Sequence, residues 1–272
     1  MAFNIERATA EIELDARPFK QRVGLVALAT DHVSEPELST LFSGHDLAMY
    51  VNRMAYANPV TAASLQALAP DLTEAATRIL PGEELDALIF GCTAGTVAVG
   101  EPKVITSVAA AKPSATIITP VGAIAAGLSA MKIRRVSVLT ACDEETSLPI
   151  AKYFEQMGWG IDLLTCVGLT DDAEMARIAQ SSIIVHAKRA LHPASEALLI
   201  CGSALRAALI VEEIEQSIGV PTLSSNSAIA WNVLRLCGDT SRVGGRLMQY
   251  ELLKKPEANV KYADEFCSRD GE

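Results

Sequence analysis

The chain has 272 residues, half of them hydrophobic, with only 5% aromatic side chains and a formal net charge of −10. That length suits one large domain or two ordinary ones around an aliphatic core. The acidity, with no run of Lys and Arg against it, argues against a nucleic-acid partner. No apolar run reaches the roughly 18 residues of a bilayer span. The charged start MAFNIERATAEIELDARPFKQR lacks the apolar stretch of a signal peptide. No membrane partner and a cytoplasmic location are therefore expected.

Residues 1–20 read as an N-terminal extension. Beyond them, apolar runs of strand length alternate with helical patterns. Residues 23–29 read as a strand and 34–42 as a helix, with Ser34 as N-cap and Glu37 as its box partner. A strand at 47–51 precedes a long amphipathic helix over 61–79, ended by Pro81-Gly82. Strands at 87–90 and 116–119 follow. The pattern then restarts: strand 136–140, helix 145–157, strand 161–166 and a helical stretch over 172–189. Strand 197–201, helix 205–217, strand 222–224 and a last helix over 227–236 complete it. Such alternation implies parallel sheets with crossover helices.

The restart carries internal similarity. Arg22-Val23-Gly24-Leu25 is echoed by Arg135-Val136-Ser137-Val138, 113 residues later. Asp86-Ala87-Leu88-Ile89-Phe90-Gly91-Cys92 is echoed 110 residues on by Glu196-Ala197-Leu198-Leu199-Ile200-Cys201-Gly202. Ala123-Ile124-Ala125 returns as Ala228-Ile229-Ala230. The expectation is an α/β protein of two pseudo-symmetric parallel-sheet lobes, residues 21–130 and 131–240. A C-terminal segment, 241–272, is expected to pack back on the first lobe.

Ligands of parallel α/β sheets bind beyond the carboxyl ends of the strands. The residues there include Thr30 and Asp31, Cys92 and Thr93, Thr140 and Cys142, Cys201 to Ser203, and Asn226. Cys92, in LIFGCTAGT, is the foremost candidate. A helix starting at Thr93 or Ala94 would turn its free N–H groups toward the thiol, favour the thiolate and offer an anion site. Cys201 sits one residue before the position that aligns with Cys92, which is Gly202. Since side chains alternate along a strand, that offset can turn the thiol away. Cys142 is a further thiol candidate. Asp31 could position an ammonium group, polarise a water or cap a helix. Asn226 could bind substrate or cap the last helix. Asp171-Asp172 reads as a helix start, and the four histidines as structural or solvated. The six cysteines show no CxxC and no cluster with His, so neither a metal site nor a disulfide framework is expected. No GxGxxG follows a strand, so no nucleotide cofactor is expected.

Several segments together resemble the aspartate/glutamate racemase superfamily, and within it the maleate cis–trans isomerase and arylmalonate decarboxylase branch. They are GLVALATDHVSEPEL (24–38), YVNRMAYANP (50–59), LTEAATRILPGEELDALIFGCTAGTVAVGE (72–101), AAKPSATIITPVGAIAAGL (110–128), RRVSVLT with EETS (134–147), and ALRAA with SSNSAIAWNVLRLCG (204–208 and 224–238). The closest likeness in that branch is to the ectoine-utilisation proteins. The resemblance implies a two-lobed fold of the Asp/Glu racemase type with a carboxylate held between the lobes, and no metal, PLP or nucleotide. It implies a thiol that moves a proton in the racemases, adds to a double bond in the maleate isomerases, or protonates an enediolate in the decarboxylases. Cys92 matches the first-lobe cysteine and Thr93 a carboxylate-binding neighbour. The second-lobe cysteine falls on Gly202, a common tyrosine falls on Cys142, and an asparagine of the maleate isomerases falls on Asp31. The expected function is thus a cofactor-independent isomerase or racemase of a small carboxylate or amino acid. A one-cysteine decarboxylase and a non-catalytic carboxylate-binding protein are the alternatives, and a homo-oligomer is expected.

Overall fold

The computed structural model describes residues 3–241 and 244–253. Two parallel four-stranded sheets form its frame. The first contains β1 (Gln21–Leu28), β2 (Leu47–Met54), β3 (Ala87–Phe90) and β4 (Thr116–Ile118), in the order β2-β1-β3-β4. The second contains β5 (Arg135–Cys142), β6 (Gly160–Leu169), β7 (Ala197–Cys201) and β8 (Thr222–Ser224), in the order β6-β5-β7-β8. The same order twice, all parallel, is the structural counterpart of the sequence echo. β1 and β5 are interior strands covered on both faces, and seven of the eight residues of each are buried. They therefore read as continuous apolar runs instead of alternating ones.

The crossover helices of the first lobe are α1 (Ser34–Leu41), α2 (Ala62–Gln66), α3 (Leu72–Thr77), α4 (Thr93–Val99), α5 (Glu101–Ala111) and α6 (Pro120–Met131). Those of the second are α7 (Glu144–Gln156), α8 (Asp172–Ala176), α9 (Gln180–Ala190), α10 (Val211–Ile218) and α11 (Ser225–Leu236). Three expected helices are broken. The stretch 61–79 splits into α2, a 3-10 turn at Ala69–Asp71 and α3, because Pro70 has no N–H to continue the ladder. The stretch 172–189 splits into α8 and α9. The stretch 205–217 is a 3-10 turn at Ala208–Ile210 followed by α10. The capping expectation at α1 also changes. Ser34 does not cap with its side chain; Asp31 accepts the N–H groups of Val33 and Ser34 at 2.7 and 2.9 Å.

The lobes share their interior. Val23 and Leu25 of β1, Val136 and Val138 of β5, Ile124 and Leu128 of α6, and Ala228 and Trp231 of α11 belong to one buried cluster. The opposite strand faces, with Val26, Leu88, Phe90, Leu139, Leu198 and Ile200, build a second. Gly127 of α6 is tightly enclosed: a Cβ there would lie 2.8 Å from Leu223 and 3.0 Å from Leu247. Polar contacts also cross the seam. Tyr153 on α7 donates to Glu101 on α5 at 2.5 Å. Segment 244–250 lies against α11, where the Trp231 indole N–H and the Arg235 Nε donate to the Tyr250 carbonyl at 2.9 and 3.0 Å. Most of the expected C-terminal segment, residues 254–272, lies outside the described residues. No described helix is long and apolar enough to cross a membrane.

Candidate active site

Cys92 follows β3 after one glycine and is the N-cap of α4. Its backbone is extended, and its Sγ accepts the Gly95 N–H at 3.1 Å. Its carbonyl accepts the Thr96 hydroxyl at 2.6 Å and the Thr96 N–H at 3.0 Å. The thiol thus lies at the opening turn of the helix because the cap geometry holds it there. Gly95 is required for that fit, since a Cβ would stand 2.9 Å from Sγ and 3.0 Å from Leu68.

Around Cys92 the chain gathers groups from both lobes. Asp31, just beyond β1, is only 8% exposed. Its Oδ1 takes the two N–H groups of the α1 turn, while its Oδ2 is buried without a hydrogen-bond partner. The Ser34 hydroxyl is likewise buried and unpartnered. Asp172, the first residue of α8 in the second lobe, accepts the Thr30 hydroxyl at 2.5 Å. Asn58 ties the lobes together beside it. Its amide donates to Asp171 at 3.0 Å and its oxygen accepts the Asp172 N–H at 3.2 Å. Cys142 is the buried last residue of β5, at a register irregularity against β6.

These groups sense one another. Burial pushes the Cys92 thiol far above its usual range; the Gly95 N–H opposes this, while Asp172, Asp31 and Cys142 add to it. Cys142 is pushed up to about 12, by burial first and then by Asp172, Asp143 and Cys166. Tyr56 is raised to about 12 by burial, opposed by its bond to Ser64, with Cys92, Asp172 and Cys142 adding. Asp172 is raised by burial, with Asp31 and Asp171 adding and Thr30 and His32 opposing. The helix turn was expected to favour a thiolate at Cys92. In this structure desolvation and two neighbouring carboxylates outweigh it and raise the thiol's proton affinity. Arg53 is committed elsewhere, to the Asp31 carbonyl at 2.6 Å and Glu35 at 2.8 Å. Among the described residues no lysine or arginine forms an ion pair with Asp31 or Asp172.

The other expected residues fall in three places. Thr93 pairs with the Ser225 hydroxyl at 2.8 Å, and Ser225 also accepts the Gly202 N–H at 3.1 Å, so α4, β7 and α11 meet there. Gly202 has φ +145° and open space where a Cβ would point. Asn226 spends its amide on Glu37 at 2.8 Å and on the Ser203 carbonyl at 3.1 Å, leaving its own oxygen buried and unpartnered. Thr140 is occupied with Ser147 at 2.5 Å. Cys201 does not join the group. Strand alternation puts it with Ala197 and Leu199 in the core between the lobes, fully buried. Burial alone pushes that thiol up to about 12.

Sequence reading missed Asp172 and Tyr56, whereas Ser225 stands in the strand-end segment 224–226 where ligand-facing residues are expected. Asp172 stands behind Asp171, which is the N-cap that accepts the Glu174 N–H. The pair therefore looked like an ordinary helix start. Tyr56 lay within YVNRMAYANP but was not singled out.

Two parallel sheets of one strand order, with a capping cysteine at the seam, define a two-lobed α/β protein of the Asp/Glu racemase-like fold. The sequence pattern of the arylmalonate decarboxylase family matches residues 103–248, more than half of the chain, and the chain belongs to that family. An arylmalonate decarboxylase of Bordetella bronchiseptica is 30% identical over 115 residues, 41% of this chain and 48% of that one, so the match spans about half of that relative. A maleate isomerase of Nocardia farcinica is 23% identical over 226 residues, 79% of this chain and 89% of the other. Among solved structures, a maleate cis–trans isomerase of Nocardia farcinica with a covalently bound succinylcysteine superposes with a TM-score of 0.76. It is 23% identical and covers 84% of this chain and 98% of its own. The chain therefore stands in the maleate isomerase and arylmalonate decarboxylase branch.

Proposed function

We propose that the chain is a cofactor-independent isomerase or racemase that acts on a small carboxylate or amino acid through Cys92. One observation carries this reading. Cys92 at the cap of α4 and Cys142 at the end of β5 come from opposite lobes, and both are buried within reach of Asp172. Inverting a carbon beside a carboxylate needs a base on one face and an acid on the other. Two thiols contributed by opposite lobes supply that pair. One thiolate takes the proton from carbon, the other thiol returns one, and no electrons are exchanged with a cofactor. Thr93, Thr30, Gly202, Ser203 and Asn226 are the proposed substrate-facing neighbours, with Gly202 leaving room. The likeness of several sequence segments to ectoine-utilisation proteins supports a search among small amino acids.

A decarboxylase is the second reading, favoured by the family match and by the raised proton affinity of Cys92. A thiol that keeps its proton has one to give to the strongly basic enediolate left after loss of CO2. Incubation of candidate substrates in D2O separates the readings. A racemase exchanges deuterium at the reacting carbon without gas release, and a double-bond isomerase converts a cis acid to its trans form without gas release. A decarboxylase releases CO2 and fixes one deuteron. If none of these occurs with any small carboxylate or amino acid that binds, the chain is a binding protein and the proposal fails.

A further inference from the structure

The acidic groups beside the thiol bear on what the substrate must carry. Asp31 and Asp172 come from different lobes, both are buried, and each raises the proton affinity of Cys92. Asp172 has a hydroxyl partner in Thr30, and the Asp31 Oδ1 has two N–H partners. The Asp31 Oδ2 has none, although it is shut off from solvent. A buried carboxylate oxygen without a donor is costly, and a second buried carboxylate beside it adds to the cost, which His32 offsets only in part at Asp172. Arg53, which reaches the Asp31 carbonyl, is turned to Glu35 and to backbone carbonyls.

Resting on the reading above, we propose that Asp31 and Asp172 bind a cationic nitrogen of the substrate, an ammonium or amidinium, between the lobes. The substrate class is then an amino acid or related zwitterion, not a simple dicarboxylate. Such a group would give the Asp31 Oδ2 its hydrogen bond. It would also cancel the two negative charges that hold the proton on Cys92, so the thiolate would form when the substrate arrives. The acid pair would thereby couple recognition to activation of the thiol.

The test uses thiol reagents of one size and opposite charge on the whole chain. Cationic 2-aminoethyl methanethiosulfonate and anionic 2-sulfonatoethyl methanethiosulfonate are compared at Cys92 by peptide mass spectrometry, with the urea-unfolded chain as reference. The expected result is a preference for the cation of about tenfold over that reference. Asp31→Asn and Asp172→Asn should each reduce it several-fold, and the double variant should remove it. Asp31→Asn keeps the Oδ1 that holds the α1 turn, so the fold should survive, as circular dichroism would verify. A preference for the anion, no labelling of Cys92 by either reagent, or a preference unchanged in both variants would overturn the proposal. The matched pairs aspartate/succinate and glutamate/glutarate add a ligand arm. Protection of Cys92 by a member lacking the amino group, equal to that by its partner, also overturns it; if no member protects, the labelling arm decides. Labelling needs no turnover, so a cation preference without deuterium exchange, cis–trans conversion or CO2 release would refute the catalytic reading and leave this one standing.

Discussion

Cys92 is held by two features that act at the level of single atoms: the Gly95 N–H that its sulfur accepts, and the absence of a Cβ at residue 95. Replacing Cys92 by Ser should leave the melting temperature nearly unchanged, since the side chains are similar in size. Turnover should fall by about 10²–10⁴ or more, because a hydroxyl does not ionise in the thiol's range. Equal turnover by Cys92→Ser on an identified substrate would refute the central assignment. Gly95→Ala should push the sulfur out of its cap, and a measured drop in turnover with little change in melting temperature is the expected signature. Cys92 was legible because Gly91, Thr93 and Gly95 surround a thiol at a strand end. Asp172 was not, because its role depends on a neighbour that is remote in sequence, Thr30, and on a cap that its own neighbour Asp171 provides. The order of the second-lobe thiols was not legible either. Cys201 and Cys142 both end strands, and only strand parity and register place one in the core and the other beside Asp172.

Strands were read more faithfully than helices, and the reason lies in how each is specified. Buried parallel strands such as β3 and β7 are short apolar runs bounded by polar residues, so their limits of 87–90 and 197–201 are visible in the chain. Helix breaks depend on single residues whose effect is local. Pro70 interrupts the expected helix over 61–79, and Gly100 at φ +92° separates α4 from α5. The packing of α6 against β8 and the 3-10 turn at Arg246–Gln249 depends on a residue too small to register in any periodicity. Gly127 sits against Leu223 and Leu247, with no room for a branched side chain. Gly127→Val is expected to cost about 1–3 kcal/mol through overpacking. Chemical denaturation should show a lower midpoint with an unchanged slope; an unchanged midpoint would mean that the contact yields.

The two lobes are also joined by a buried acid. Glu37 on α1 accepts the Ala208 N–H at 3.0 Å and the Asn226 amide at 2.8 Å, both in the second lobe. Burial raises it from 4.5 to about 7, with these hydrogen bonds opposing. Because its folded pKa lies above its unfolded one, the folded state holds more protons in between. The stability it contributes is full below about pH 4.5 and is lost as pH rises through about 7, on the order of 3 kcal/mol. Asp172 and Glu215 are raised in the same direction. Melting temperature should therefore fall between pH 5 and 8, and Glu37→Gln should flatten that slope. A profile as steep in the variant as in the parent would remove Glu37 from the account. The sealed position of Cys201 has a different use. A thiol that lies wholly within the apolar interior shared by the lobes reacts only when that interior opens. Its alkylation rate in native buffer, divided by that of a free thiol, is then a clock for opening. It should run far slower than the half-buried Cys237 and speed up in step with destabilisation by Gly127→Val. The protein carries its own gauge of cohesion, readable without any added label.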